Sequence, residues 1–259
     1  MLEINRIHCG DNCDLMAELP RACVDLVVTS PPYDALRSYG GHSWDFFGVA
    51  WNLKRVLKPG GVIVWVVADA TVDGSETGSS TEQALHFKRL GLNLHDTMIY
   101  QKLNYLPQNC ATRYDQCFEF VFIISAGMPK TCNMLCDRRN AMAGKKNSPG
   151  PHKKIDGSQQ PKHAITYLEF GRRSNIWPIA VGHETSDHPA PMPEILARDV
   201  IATWSNPGDL VLDPFSGSGT TAKAAKTLGR NFIGLEINQD YCAIAERRIA
   251  QEVLELCCA

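Results

Sequence analysis

The chain has 259 residues, 44% hydrophobic and 21% charged, with a formal net charge of −2; this is the balance of a globular protein with one substantial core, and it excludes disordered and fibrous classes. No run approaches the eighteen or so apolar residues of a membrane-crossing helix, and Met1-Leu2-Glu3-Ile4-Asn5-Arg6 lacks the charged head and apolar stretch of a secretory signal, so a cytoplasmic protein without membrane partners is expected. The ten cysteines are scattered through a large chain and read as reduced thiols rather than a disulfide scaffold.

In chain order, Ile4 to His8 and Val24 to Val28 read as strands, with a short helix from Asp14 to Leu19 between them. Trp44 to Leu57 places Phe47, Trp51, Leu53 and Leu57 near helical spacing and stops at Lys58-Pro59-Gly60-Gly61. Val62 to Ala68 is a continuously apolar run, which suits a strand buried on both faces. A Gly/Ser/Thr-rich loop over Asp73 to Thr81 leads to a helix from Glu82 to Arg89, and then Met98 to Gln101 and Phe118 to Ile124 read as an antiparallel pair. The chain closes with a helix over Glu194 to Trp204, a strand ending at Asp213, a helix over Thr220 to Leu228, a strand over Asn231 to Glu236 and a helix over Gln239 to Leu256. This alternation argues for an α/β fold, a mostly parallel sheet with helices on both faces and an antiparallel hairpin at its edge.

The small net charge conceals an asymmetry. Between Lys130 and Arg173 there are ten Lys/Arg and three Asp/Glu, a local excess of +7, so the remainder of the chain carries −9. One basic surface on an acidic body is the distribution expected of a protein that meets a polyanion there. Residues 143–154, with Lys145, Lys146, Lys153 and Lys154, hold too few apolar side chains to pack a core of their own. Cys132 and Cys136 with His152 and His163 depart from zinc spacings, and no metal site is expected.

Two motifs carry chemistry. Thr29-Ser30-Pro31-Pro32-Tyr33 follows the strand over Val24 to Val28; consecutive prolines fix the backbone and remove two amide donors, so the turn offers carbonyls between a hydroxyl and an aromatic ring, a seat for a flat amino-bearing base. Asp213-Pro214-Phe215-Ser216-Gly217-Ser218-Gly219-Thr220-Thr221 follows a second strand, and Gly217 to Ala222 fits G-x-G-x-x-A, with Glu236 ending the next strand seventeen residues after Gly219. Such glycines permit close approach of a cofactor, and such an acid can hold ribose hydroxyls. Alone, this loop suits a nicotinamide dinucleotide, another adenosine cofactor or a plain tight turn.

Together the motifs resemble those of the amino-methylating DNA methyltransferases, whose catalytic Ser/Asp/Asn-Pro-Pro-Tyr/Phe/Trp and cofactor-binding Asp-Pro-Phe-x-Gly-x-Gly-Thr motifs match Ser30 to Tyr33 and Asp213 to Thr220. The catalytic motif comes first, as in the permuted order of the beta class. Gly10-Asp11, Leu57 to Gly61, and His188-Pro189-Ala190 leading to Pro193-Glu194 extend the match over essentially the whole chain. The resemblance implies a Rossmann-like S-adenosylmethionine methyltransferase fold with circularly permuted motif order. It implies one catalytic domain over residues 1–259, with residues 129–175 as a basic insert for target recognition, and the strands ending at Val28 and Asp213 as central neighbours.

For the cofactor, S-adenosylmethionine, it implies that Asp213 and the amides of Phe215, Ser216, Gly217, Ser218 and Gly219, with Thr220, hold the methionine part. Glu236 would hold the ribose, Asp11 the adenine amine, and Pro189 and Ala190 would wall the methionine end. For catalysis it implies that Ser30 and the Pro31 carbonyl accept the amine's hydrogens, within a turn fixed by Pro32, while Tyr33 stacks on a base flipped out of the duplex. DNA contacts would come from Arg37, Tyr39, Arg138, Arg139, Lys145, Lys146, Lys153 and Lys154. Ring-carbon methylation, with its cysteine nucleophile commonly presented as Pro-Cys, is disfavoured because no proline here precedes a cysteine.

Ser-Pro-Pro-Tyr in this family goes mostly with cytosine amino methylation, so the expectation is N4-methylcytosine in a specific duplex sequence without a covalent intermediate, with N6-methyladenine as the alternative. RNA or protein amine methylation and a nicotinamide oxidoreductase fit less of the chain. The partner implied is double-stranded DNA in a nucleoid-associated, cytoplasmic setting; a separately acting restriction endonuclease is compatible with it, and so are monomer and homodimer.

Overall fold

The computed structural model describes residues 2–33, 44–107, 110–147, 152–153, 158–160, 165–180 and 192–257. They form two compact units, one of residues 1–133 and 175–259 and one of residues 134–174. Among the described residues no helix is long and apolar enough to cross a membrane.

The larger unit is built on one sheet of eight strands: β1 (Arg6–Cys9), β2 (Val24–Thr29), β3 (Leu57–Val67), β4 (Asn93–Lys102), β5 (Phe118–Ser125), β6 (Ile176–Ile179), β7 (Leu210–Asp213) and β8 (Asn231–Glu236). Their order is β1-β8-β7-β2-β3-β5-β4-β6. Neighbours run parallel except where β5 meets β3 and β4. The fold is thus the mostly parallel α/β sheet with one antiparallel hairpin that the sequence implies, but the hairpin is not outermost: β6 adds beyond β4, pairing Ile176 with Ile99 and Pro178 with Gln101. Four residues interrupted by a proline give little strand signal, and a proline is tolerated there because the strand lies at the edge.

Among the described residues six helices cover the sheet: α1 (Asn12–Ala17), α2 (Phe46–Val56), α3 (Ser79–Arg89), α4 (Glu194–Trp204), α5 (Thr220–Thr227) and α6 (Gln239–Cys257). Met16 of α1, Leu53 of α2 and Phe87 of α3 share one buried cluster with Val27, Ile63, Trp65, Leu212 and Ile233. The alternate strand residues Leu26, Val28, Val62, Val64 and Val211 are buried too, and side chains alternate across a strand, so they face the opposite layer, where α4, α5 and α6 pack on one another.

The buried stripe of α2 is Val49, Ala50, Leu53 and Val56. Phe47 and Trp51, expected on that stripe, are instead 65% and 56% exposed. They sit four residues apart on the outer side, Phe47 against His86 and Trp51 under the Lys54 ammonium. The break at Lys58-Pro59-Gly60-Gly61 ends this helix as expected but opens β3 directly at Leu57, Gly60 adopting φ +77° as its amide reaches the Ala126 carbonyl. The Gly/Ser/Thr-rich stretch forms a small hairpin, Thr71–Val72 against Ser75–Glu76, and α3 then starts at Ser79.

The chain steps from β2 to β3 in one direction and from β7 to β8 in the other, so the winding reverses between β7 and β2. In open α/β sheets, ligands bind beyond the carboxyl ends of the strands at such a reversal.

The smaller unit is a ladder of short antiparallel pairs, Arg138–Arg139 with Phe170–Gly171, Lys146–Asn147 with Ile165–Thr166, and His152–Lys153 with Gln159–Gln160. The pairs nest inside one another, so this basic segment, which carries no strand pattern, is a ribbon whose backbone pairs with itself. None of its described residues belongs to the buried hydrophobic core.

Candidate active site

The two motifs meet at the reversal. Strands β2 and β7 run in parallel register, Leu26 beside Val211 and Val27 beside Leu212, so the turns that follow Thr29 and Asp213 leave the sheet at one end. Thr29, between the strand and Ser30, donates its hydroxyl to Asp213 Oδ1 at 2.7 Å. Thr221 at the start of α5 donates to the Val28 carbonyl at 3.3 Å, and Asn12 of α1 donates to the Pro214 carbonyl at 3.1 Å. Thr29 and Thr221 stand at the outer ends of the two motif stretches and Asn12 lies outside both, and together the three tie the two turns.

Asp213 is 5% exposed, and burial raises its pKa to about 6 against the stabilising bonds from Thr29 and the Phe215 amide. No cation pairs with it among the described residues. A buried carboxylate without a counter-ion suits a ligand that brings its own ammonium.

The glycine loop differs from expectation in one respect. Four of the five amides from Phe215 to Gly219 are bonded inside the protein: Phe215 to Asp213 Oδ1, Ser216 to the Leu235 carbonyl, Gly217 to Glu236 Oε2 and Gly219 to the Ser216 carbonyl. These donors therefore shape the loop rather than wait for a ligand. Gly219, at φ +83°, serves packing as well, since a Cβ there would lie 2.8 Å from Ala245 Cβ of α6. Arg248 of α6 clamps the loop from outside, Nη1 reaching both the carbonyl and the hydroxyl of Ser218 at 2.8 Å. Ser216 Oγ is buried without a hydrogen-bond partner among the described residues, and a hydroxyl left so usually marks an acceptor or donor still to arrive.

Glu236 accepts the Gly217 amide on Oε2 and the Asn238 amide on Oε1, each at 2.8 Å. A carboxylate has about four lone-pair sites, so capacity remains for vicinal hydroxyls. Cys9 of β1 is in register with Glu236, which brings Asp11 to the same end of the sheet. Asp11 caps α1, its Oδ1 accepting from the Cys13 and Asp14 amides, so capping uses one of its two oxygens. Trp44, read from the sequence only as the start of a helix, packs edge-on against Phe215 with ring centroids 4.9 Å apart. A buried uncompensated carboxylate, an orphan hydroxyl and a second carboxylate with spare acceptor capacity fit the ammonium, carboxylate and ribose of S-adenosylmethionine.

Beyond β2, Pro31 is buried while Ser30, Pro32 and Tyr33 are half-buried. Ser30 Oγ lies 2.7 Å from the Tyr33 hydroxyl, which donates to Glu119 Oε2 of β5 at 2.9 Å. Lys102 Nζ of β4 sits 2.6 Å from Glu119 Oε1. The Tyr33 ring packs against the cluster under α1 to α3. Neither Glu119 nor Lys102 was marked by the sequence, because their link to the motif is purely spatial.

In the basic ribbon Arg138, Arg139, Lys145 and Lys146 are all exposed; Arg139 meets Glu169 at 3.8 Å and Arg138 Nε donates to the Arg172 carbonyl at 3.1 Å. Lys153 is in the innermost pair, its side chain outside the described residues, as are Lys154, Arg37, Tyr39, Pro189 and Ala190. Among the described residues no group of three His, Cys, Asp or Glu could hold a metal, while His163 and the side chain of His152 lie outside them.

Comparison with known proteins agrees with this geometry. Residues 24–247 match the DNA methylase family. The orphan methyltransferase M.BamHII of Bacillus amyloliquefaciens is 52% identical over 242 residues, 89% of this chain and 90% of that protein. The Thermus thermophilus protein TTHA0409, solved in complex with S-adenosyl-L-methionine, superposes with a TM-score of 0.65 at 28% identity, over 96% of this chain and 95% of its own. The PvuII DNA methyltransferase, described as cytosine-N4-specific, has the same fold, with a TM-score of 0.70 at 21% identity over 93% of this chain and 85% of its own. With most of its length inside the family match and half its residues shared with one member, the chain belongs to the amino-methylating DNA methyltransferases, and S-adenosylmethionine is its methyl donor.

Proposed function

We propose that the enzyme methylates the exocyclic N4 of cytosine within a specific duplex sequence, on a base turned out of the helix. The observation that carries this reading is Ser30, a neutral hydroxyl on a short side chain, set one residue beyond the Thr29–Asp213 bond where the two motif turns leave the sheet. S-adenosylmethionine supplies an electrophilic methyl group. The protein's task is to present the amine, whose lone pair is otherwise delocalised into the ring. Acceptance of its two N–H groups by Ser30 Oγ and the Pro31 carbonyl favours a pyramidal nitrogen with its lone pair directed outward, a gain made by placement and electrostatics. No cysteine stands in the motif, so no covalent base adduct is formed.

In this reading Asp213 takes the ammonium and Glu236 the ribose hydroxyls, with the second oxygen of Asp11 on the adenine amine and Pro189 and Ala190 along the methionine end. Tyr33 lies along the flipped base, with a face worth about 1 to 3 kcal/mol in stacking. The basic ribbon, with Arg138, Arg139, Lys145, Lys146, Lys153 and Lys154 along it, reads the target, assisted by Arg37 and Tyr39. Its cations supply the salt-dependent part of DNA affinity, and Arg138, Arg139, Lys145 and Lys146 are exposed.

Mass spectrometry of nucleosides from DNA methylated by the pure enzyme tests the choice of base. N4-methyldeoxycytidine is the expected product. N6-methyldeoxyadenosine in its place refutes the cytosine assignment while sparing the amine chemistry, and methyl on the cytosine ring carbon refutes both.

A further inference from the structure

We propose that Glu119 is a positioning residue for methyl transfer: through the Tyr33 hydroxyl it sets the direction of a hydrogen-bond chain that leaves Ser30 Oγ only an acceptor toward the base. This rests on the reading above, in which Ser30 receives the target amine. The chain runs Ser30 Oγ, Tyr33 OH, Glu119 Oε2, with contacts of 2.7 and 2.9 Å. An ionised carboxylate has no proton to give, so the proton between Tyr33 and Glu119 is the tyrosine's. A phenol has only one. The short Ser30–Tyr33 contact is then donated by Ser30, whose single proton is spent on the side away from the base, and its lone pairs stay open to an amine hydrogen. Without the carboxylate the chain can reverse, and a serine proton directed at the amine would replace an attraction by a clash of donors.

The surroundings hold Glu119 in this role. Glu119 pairs with Tyr100 across the β4–β5 ladder, so Lys102, two residues along β4, is its diagonal neighbour on the same face. The Lys102 ammonium bonds the other carboxylate oxygen at 2.6 Å, with the two side chains only 30% and 13% exposed. That pair fixes the carboxylate in place, with Oε2 toward Tyr33. The family motif does not itself require this arrangement, since it also admits phenylalanine where Tyr33 stands, and phenylalanine carries no hydroxyl.

Steady-state methylation of duplex DNA, with S-adenosylmethionine affinity by calorimetry, tests it in Glu119→Gln, Tyr33→Phe, their double variant and Ser30→Ala. The expected result is a fall in kcat of about tenfold in each of the first two, the worth of one hydrogen bond to a charged group. The KM for DNA and the cofactor affinity should stay within about twofold, and the double variant should be no slower than the slower single, because both changes break one chain. Tyr33→Phe keeps the ring and removes one oxygen, so it tests the chain even where a Glu119 variant does not fold. Wild-type kcat in Tyr33→Phe, or losses that multiply in the double variant, would overturn the role of Glu119. Should Ser30→Ala keep wild-type activity, the placement of the amine at Ser30 fails and this inference with it; an inactive Ser30→Ala beside unaffected Glu119→Gln and Tyr33→Phe removes the inference alone.

Discussion

Replacing Asp213 by Asn should make the protein more stable without S-adenosylmethionine and poorer at binding it. Burial raises the Asp213 pKa from an ordinary 3.8 to about 6. At about 1.36 kcal/mol per pH unit, that difference corresponds to about 3 kcal/mol. The sign follows from proton linkage. Between pH 3.8 and about 6 the folded chain keeps a proton on Asp213 that the unfolded chain has lost, so stability falls as pH rises through this window and the whole penalty is present above it. Asparagine keeps an acceptor for Thr29 and the Phe215 amide and carries no charge to bury. Its advantage over the wild type should therefore widen by about 1.4 kcal/mol between about pH 5 and pH 8. For a chain of this size that amounts to a gap in midpoint temperature growing by roughly 3 to 6 °C. Thermal or urea unfolding of the cofactor-free protein at both pH values measures it, and calorimetry should show S-adenosylmethionine binding weakened by about tenfold to a hundredfold through loss of the charged partner. A stability difference that is the same at both pH values, or an asparagine variant that is less stable at pH 8, would refute the argument that the buried charge is what the site sacrifices stability to keep.

Glu236→Gln should lower S-adenosylmethionine affinity by about tenfold to a hundredfold in calorimetry, since it removes a charged acceptor from the hydroxyls. Neutralising Arg138, Arg139, Lys145 and Lys146 together should flatten the dependence of DNA affinity on salt, each lost phosphate contact reducing the slope of log affinity against log salt by about 0.9; an unchanged slope in a filter-binding titration assigns these side chains to solvent. Gly219→Ala should destabilise the fold by about 1 to 3 kcal/mol in urea unfolding, because the new methyl meets both a φ of +83° and Ala245.

The parts of this enzyme that were legible in its sequence are those whose causes are local. A strand followed by Ser30-Pro31-Pro32-Tyr33, and another followed by Asp213 to Gly219, are read from a few consecutive residues, as are the helices whose ends carry capping or breaking residues. What escaped is set by tertiary contact. Phe47 and Trp51 have helical spacing, but so do Val49, Leu53 and Val56 on another side, and only the sheet decides which stripe is buried. Strand β6 is short and holds a proline, and the ribbon over residues 138–171 has no apolar period, its described residues packing no core. The glycine loop was found, yet its amides were assigned to the ligand although four of them satisfy the protein's own acceptors. Glu119 lies 86 residues from the tyrosine it holds, and no local pattern in an apolar strand foretells that.

The Thr29–Asp213 bond spans 184 residues, and its position bears on how a permuted chain can keep two ligands in reacting distance. Rates of group transfer depend on close placement of the reacting groups, so on the proposed function the two motif turns, one for the base and one for the cofactor, need a shared and stiff foundation. Here it is two adjacent parallel strands whose residues Leu26, Val27, Val211 and Leu212 are all fully buried. Register between buried strands is costly to change, because a one-residue slip would turn every side chain to the wrong face. The chain between these strands can then carry a whole second unit, residues 134–174, since an insertion at exposed ends adds only slowly to the entropy of closing the loop. On the function proposed above, target recognition would vary in such a segment while the geometry of transfer stays fixed by β2 and β7, and the threonine bond adds direction to that register by holding the Asp213 carboxylate from the strand that also leads to Ser30.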